Sequence, residues 1–392
     1  MIYFAWRHFR FPKHLKTENL PTLTLAIPAR NETLSLVDCL TTVQSLSYPK
    51  IEVIVLDDQS SDNTSEIIRG FAHAGVRFIS GDHPAKGWTG KTYALNQLER
   101  ASSGKYIAFM NVDVRLAPED LSYLVSYMQD KNLDMVSVMP RHVKSYSLGA
   151  LIEPLRYFWD IFRPVSRSRT PVGHWLWIIR RDKLTELGGI AGQSYKILPE
   201  DGLARRLIWE KKYKFFVSSG FLNVKNTEDF GHEYDSAVRV TYPQLRRKPL
   251  RALLAILGHL ALLVPFLTIW LFRPDEFAWW LSLALLLFIV GANTWYAAFT
   301  RDSWWLTPIL TPFQILLQVV IIIESWYRYT FGKVDWRGRD IKLVVNKPVK
   351  SENYQPAEQY SGEYLGNFHV VKNNNQIKKH RRKRRRQHQH RP

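Results

Sequence analysis

Short apolar runs alternate with polar, helix-compatible stretches over the first half of the chain; the pattern then turns almost wholly apolar, and finally almost wholly polar. Leu23-Thr24-Leu25-Ala26-Ile27-Pro28 is the first run, and 51–56, 76–79, 105–110 and 135–139 follow. Continuous apolar runs bounded by turn residues predict buried strands. Between them, 32–47 and a stretch opening at Ser61-Asp62-Asn63-Thr64 read as helices, with Asn31 as cap of the first. Alternating strands and helices predict an α/β domain on a mainly parallel, doubly wound sheet. Ligands of such sheets bind beyond the carboxyl ends of the strands.

Carboxylates gather at those ends. Asp57-Asp58 closes the second run, Asn111-Val112-Asp113 follows the fourth, and Pro199-Glu200-Asp201-Gly202 precedes a helical run at 202–210. Paired carboxylates suit a divalent cation and a general base. No Gly-x-Gly-x-x-Gly follows the first run, and Gly87-Trp88-Thr89-Gly90-Lys91 lacks the spacing of a phosphate loop. Dinucleotide-binding and P-loop classes are therefore excluded. Histidines with metal-ligand spacing are absent. His174, Trp175 and Trp177 read as buried aromatics or as the wall of an acceptor pocket.

Three apolar segments, 251–272, 277–299 and 303–330, are each long enough to span a bilayer, with tryptophans near their ends. Basic residues flank the region on both sides: Arg246, Arg247, Lys248 and Arg251 before it, Arg328, Lys333, Arg337 and Arg339 after it. Both flanks belong in the cytoplasm, which requires an even number of crossings. The third segment, broken by Pro308 and Pro312, is expected to be re-entrant or interfacial. The formal charge of +19 owes eight charges to 378–386. A basic tail beyond membrane segments is expected to meet anionic lipid rather than nucleic acid. The single cysteine, Cys39, permits no internal disulfide and reads as a packing residue. The predicted organisation is an interfacial N-terminal segment (1–20), an α/β domain (21–248), a membrane region (249–330) and a basic, largely disordered cytoplasmic tail (331–392) in a multi-pass protein of the cell membrane.

The motifs Ile27-Pro28-Ala29-Arg30-Asn31-Glu32, Asp57-Asp58-Gln59-Ser60-Ser61-Asp62-Asn63-Thr64, Gly87-Trp88-Thr89-Gly90-Lys91 and Ala94-Leu95-Asn96, in this order, resemble family 2 glycosyltransferases. The chain is most similar to membrane-bound members that modify lipids: hopanoid-associated, carotenoid and ceramide glycosyltransferases. Tyr242 to Leu250 and Trp336-Arg337-Gly338-Arg339 resemble the segments that flank their membrane region.

The resemblance implies a GT-A (nucleotide-diphospho-sugar transferase) domain followed by transmembrane helices. It implies an inverting transfer of a hexose from a nucleotide sugar, UDP-glucose above all, to a membrane lipid. Pro28, Ala29, Asn31, Glu32, Asp57, Asp58, Lys91 and Asn111 would bind the donor, with Asp57 accepting from the uracil ring. Asp113 would hold Mg²⁺ or Mn²⁺ against the diphosphate; Asn111 stands where the family usually has a first aspartate. Gln244 and Arg247 match a Gln-x-x-Arg-Trp element whose arginine contacts the diphosphate, and Lys248 replaces its tryptophan. Glu200 or Asp201 would be the general base: counting back from Leu203, Arg206 and Leu207 favours Glu200, the familiar Glu-Asp order Asp201. The alternatives are a polysaccharide synthase and a catalytically degenerate membrane scaffold with a polybasic, lipid-binding tail.

Overall fold

The computed structural model describes residues 19–142, 171–194, 196–218, 222–274, 276–300, 304–336 and 339–340. The expectations for residues 1–18 and for the tail beyond residue 340 lie outside the described residues, while the start of the expected tail, 331–336 and 339–340, is described and includes two short paired strands.

Each apolar run forms a strand. In chain order these are β1 (Leu23–Ala29), β2 (Ile51–Asp57), β3 (Val76–Ser80), β4 (Tyr106–Met110), β5 (Val114–Arg115), β6 (Met135–Met139), β7 (Arg141–His142), β8 (Leu176–Arg180), β9 (Tyr213–Val217) and β10 (Lys225–Asn226). Helices α1 (Thr33–Gln44), α2 (Thr64–Gly70) and α3 (Gly90–Ala101) connect the first four strands, which lie parallel. The main sheet has the order β3-β2-β1-β4-β8-β6-β9, and β5-β10-β7 form a small second sheet.

The main sheet is more mixed than the pattern suggests, because β8 runs antiparallel to both β4 and β6. All of β8 except its last residue is buried, so it lacks the alternation that marks a half-exposed strand. Trp177 of β8 faces Phe109 across the ladder, with ring centroids 4.2 Å apart. Leu25, Ile27, Ile54, Leu56, Ile107 and Phe109 fill the centre, and Cys39 packs there as a free thiol. Truncating one such leucine to alanine costs about 2–5 kcal/mol. The chain leaves β1 for one side of the sheet and returns at β4 on the other, which opens a crevice at the carboxyl ends of these two strands.

Later helices include α4 (Asp120–Asp130), α5 (Arg181–Glu186), α6 (Pro199–Trp209) and α7 (Phe230–Gln244). The apolar region forms α8 (Pro249–Ala261), α9 (Val264–Leu271), α10 (Phe277–Thr300) and α11 (Thr307–Thr330). Three stretches, Pro249–Leu271, Phe277–Ala298 and Trp304–Thr330, are long and apolar enough to cross a membrane. The third differs in kind: 44% of its most apolar window is buried inside the protein, against 11% for each of the others.

The reason is α7. Ile321 clusters with Ala237 and Val238, Phe230, Tyr234 and Leu317 pack against that cluster, and Tyr329 meets Tyr242. The two helices therefore run side by side in parallel over their C-terminal halves. Polar groups reinforce the contact at a proline. Pro243 has no N–H to offer the Arg239 carbonyl, and the Tyr329 hydroxyl donates to that carbonyl at 2.8 Å. Ser325 Oγ accepts from the Tyr242 N–H at 2.9 Å and donates to the Val238 carbonyl, two groups that an uninterrupted helix would join to each other.

Candidate active site

A cleft of about 260 Å³ opens at the β1–β4 crevice. Its walls come from four places: the turn after β1 (Pro28, Ala29, Arg30, Glu32), Asp58 after β2, the turn after β4 (Asn111, Val112, Asp113), and one face of α7 with Glu228, two residues ahead of it. Lys91 and His174 complete it. On α7, His232, Asp235, Ser236 and Arg239 recur at helical spacing and share the side towards the cleft. Glu228 precedes the helix, whose cap is Asp229 accepting from the His232 N–H at 2.9 Å. None of these α7 residues belongs to the expected site. Their spacing behind a capping aspartate was the signal that could have found them.

Seven of the expected donor and metal residues line the cleft: Pro28, Ala29, Glu32, Asp58, Lys91, Asn111 and Asp113. The others stand elsewhere. Asn31 is not the cap of α1; Glu32 occupies that position. Asn31 adopts a left-handed backbone (φ 52°), and its Oδ1 accepts from the Ser61 N–H at 2.9 Å. With Glu32 N–H donating to Thr64 Oγ1, it ties the β1 turn to the β2 turn. Asp57 is buried behind that seam, its carboxylate accepting from the Ser60 N–H at 3.0 Å and from the Ser65 hydroxyl. Gln244 ends α7 on the exposed surface, and Arg247 sits in the turn that follows, its carbonyl accepting from the Tyr242 hydroxyl at 3.0 Å.

Asp58 receives an unexpected partner. Beyond α11, strands β11 (Asp335–Trp336) and β12 (Arg339–Asp340) pair antiparallel. Arg339 reaches back from there and grips the Asp58 carboxylate through one Nη at 2.8 and 2.9 Å. Its other Nη donates to Gln59 Oε1 at 2.7 Å. Burial pushes the Asp58 carboxyl above its ordinary pKa, and Arg339 opposes the rise. A residue beyond the last apolar helix is thus part of the cleft's own support.

Asp113 is buried in a turn fixed by its carbonyl, which accepts from the Thr227 N–H and hydroxyl at 2.9 and 3.0 Å. Beside it, Asn111 Oδ1 accepts from the Lys91 ammonium at 3.1 Å. Among the described residues no three His, Cys, Asp or Glu side chains converge as a metal cluster. Asp113 is the one carboxylate of this turn, and Glu32, Asp58, Glu228 and Asp235 stand elsewhere on the cleft wall.

Glu200 and Asp201 are set apart by their surroundings. Helix α6 starts at Pro199, earlier than the pattern suggests, so both lie in its first turn, where the helix dipole favours negative charge. Asp201 is 31% exposed and pairs with Arg205 at 2.7 Å. Glu200 is 1% exposed, and neither carboxylate oxygen has a hydrogen-bond partner. Burial pushes its pKa from 4.5 up to about 7, while Lys91 pulls the other way. The Lys91 ammonium is in turn lowered by burial and raised by Glu200. Next to the cleft, Lys91, His174, Leu198, Ser236 and Arg239 enclose a chamber of about 20 Å³, wide enough for one water. Lys91 and the turn carrying Asp113 thus meet in the cleft at the switch point of the sheet, and Glu200, which does not line it, acts electrostatically on Lys91.

Comparison with known proteins agrees with this geometry. Residues 24–172 match the profile described as Glycosyl transferase family 2. The chain is 32% identical over 135 residues to the 4,4'-diaponeurosporenoate glycosyltransferase of Staphylococcus haemolyticus, covering 34% of this chain and 36% of that protein. It is 29% identical over 178 residues to the poly-beta-1,6-N-acetyl-D-glucosamine synthase of Staphylococcus aureus, covering 44% of this chain and 42% of that protein. The matches thus span less than half the length of these curated relatives. Among solved structures, a mannosyltransferase from Pyrobaculum calidifontis, determined with GDP-Man and Mn²⁺, superposes with a TM-score of 0.52 at 17% identity, over 83% of this chain and 93% of its own. The domain has the GT-A fold.

Proposed function

We propose that this chain, which carries a glycosyl transferase family 2 domain, is an inverting glycosyltransferase that moves a hexose from a nucleotide sugar, UDP-glucose first among them, to a membrane lipid of the carotenoid, hopanoid or glycolipid-precursor kind. The observation that carries the reading is Glu200. A buried, unpartnered carboxylate with a pKa of about 7 is suited to take a proton at neutral pH. In the reaction the acceptor oxygen attacks the anomeric carbon, the bond from that carbon to the diphosphate breaks, and Glu200 accepts the proton the acceptor loses. Only an acceptor that must lose a proton needs such a group, so a lipid hydroxyl is favoured over a carboxylate. Asp201, held by Arg205, is left to support the helix start.

The donor's diphosphate would lie between Lys91, Arg239 and Asp113, all on the cleft wall. A Mg²⁺ or Mn²⁺ ion bound at Asp113 would neutralise the leaving diphosphate. Glu200 is not on the cleft wall, so the wall or the carboxylate must shift when an acceptor arrives.

The lipid acceptor and the membrane setting are supported by the likeness to the carotenoid glycosyltransferase and by the exposed apolar faces of α8 and α9. We further infer that 249–271 and 277–298 cross the bilayer as a pair, while α11 lies against α7 at the cytoplasmic surface. Two observations support this. The C-terminal half of α11 is joined to a cleft-lining helix by buried hydrogen bonds through Ser325. The chain then returns to Asp58, on the catalytic side. Both agree with the basic residues on either flank. A polysaccharide synthase is the second reading, favoured by the likeness to the poly-N-acetylglucosamine enzyme.

The test is expression of the wild type and Glu200→Gln in a host that makes hopanoids and carotenoids, with lipid extracts compared by mass spectrometry. A lipid that gains one hexose only with the wild type is the expected result. A long sugar polymer in place of a glycolipid would overturn it in favour of the second reading.

A further inference from the structure

The pairing of Lys91 with Asn111 bears on how the cleft meets a diphosphate. Lys91 is the second residue of α3, whose N-terminus, capped by Thr89, faces the chamber beside the cleft. Its ammonium donates to Asn111 Oδ1 at 3.1 Å. An ammonium must donate to something, and a neutral amide oxygen orients it without cancelling its charge. An aspartate in the same place would form an ion pair and neutralise it. With Asp at 111, the group of residues 91, 111 and 113 would carry a formal charge of −1 and repel a diphosphate until a metal arrived. With Asn111 these three residues are together neutral before any metal binds, and the carboxylates that act on the lysine are Glu200, Glu228 and Asp113, none of them hydrogen-bonded to it. Arg30 and Arg239 add cations to the same walls, which also carry Glu32, Asp58, Glu228 and Asp235.

We propose that the Lys91–Asn111 pair replaces a metal-ligating carboxylate with a fixed protein cation, so that this chain binds the nucleoside diphosphate of its donor with little dependence on a divalent ion. Asp113 keeps a single carboxylate for such an ion, which assists binding rather than enabling it. The inference rests on the donor class proposed above and deepens it: it assigns the neutralisation of the diphosphate to Lys91.

The experiment is calorimetric titration of UDP into the purified full-length protein in detergent, with Mn²⁺ and with EDTA. It compares wild type, Lys91→Met, Lys91→Arg and Asn111→Asp. Binding, not turnover, is the readout. For the wild type, removing Mn²⁺ is expected to weaken binding by less than about tenfold. Asn111→Asp is expected to widen that ratio to about a hundredfold, because the restored carboxylate neutralises Lys91 and leaves the metal to do its work. Lys91→Met is expected to lose binding in EDTA and to regain part of it with Mn²⁺, and Lys91→Arg to stay near wild type. Wild-type binding abolished by EDTA, or a Lys91→Met protein indistinguishable from wild type, overturns the proposal while the donor class stands. Failure of every variant to bind either UDP or GDP, with metal present and the protein folded, overturns the donor class and this proposal with it.

Discussion

Replacing Glu200 by glutamine should abolish transfer and at the same time stabilise the protein. The two effects share one cause. Glu200 is enclosed with no hydrogen-bond partner, and its pKa stands at about 7 against 4.5 for a free glutamate. That difference corresponds to roughly 3 kcal/mol of penalty on the charged, folded form. The sign follows from proton counting. Between pH 4.5 and 7 the folded state holds the proton and the unfolded state has released it, so stability falls as pH rises through this window and stays low above it. A glutamine side chain in its place carries no charge at any pH. At pH 8 the variant should therefore be more stable than the wild type by up to about 3 kcal/mol, a rise of several degrees in melting temperature, with little difference at pH 4.5. Transfer to a hydroxyl acceptor should drop by about 10²–10⁴-fold. In the wild type, kcat/KM should climb between pH 6 and 8, since about a tenth of Glu200 is ionised one pH unit below its pKa and about nine-tenths one unit above. The assays are differential scanning fluorimetry of wild type and variant at both pH values, and nucleotide release from UDP-glucose in lipid-containing micelles. Equal melting temperatures at pH 8, or a wild-type rate flat from pH 6 to 8, would refute the assignment of Glu200 as a buried base.

Three further outcomes can be measured on the same protein. Arg339→Ala should cost about 2 kcal/mol, discounted for the partial exposure of the arginine, by leaving the Asp58 carboxylate buried without its partner. Adding Asp58→Asn should recover part of that loss, and additive effects in the double-mutant cycle would deny the coupling. Ser325→Ala should cost about 1–3 kcal/mol, because the Tyr242 N–H and the Val238 carbonyl both lose their link at once. A thermal scan reads that loss, and an unchanged transition would show that α7 closes its own ladder without α11. For the topology, single cysteines at Pro274 and Trp304, both exposed, should label oppositely with a membrane-impermeant maleimide on intact cells. Position 274 is expected to react and 304 to stay protected. Labelling of both, or of 304 alone, would mean that the crossings are not those of 249–271 and 277–298.

Much of this fold was legible because its central strands are buried on both faces and short. Runs such as 51–56 and 105–110 need no alternation to be recognised, only turn residues at their ends. The same burial hid β8. Leu176 to Ile179 sits among His174, Trp175 and two arginines, and nothing local distinguishes a strand from an aromatic patch. Its place is set by Phe109 and Met135, residues far away in sequence that lie beside it in the sheet. The site divides along the same line. Residues at strand ends were found from position alone, since Asp58, Asn111 and Asp113 each follow an apolar run. The α7 face and Arg339 were not, because their roles depend on where whole helices dock.

That docking is also what links the two halves of the chain. Helix α7 presents Asp235, Ser236 and Arg239 to the cleft and Val238 and Tyr242 to α11. Arg328 on α11 reaches Asp235 itself at 3.3 Å. A shift of α11 relative to α7 thus moves the side chains proposed to meet the diphosphate, and the Arg339 grip on Asp58 moves with the same segment. An apolar helix that merely anchored the domain would need neither contact. Two connections thus run from α11 and the segment after it to the cleft, one through α7 and one through Asp58. The physical basis is the proline at 243, which leaves the Arg239 carbonyl without the donor a helix would supply and so invites the hydroxyl of Tyr329.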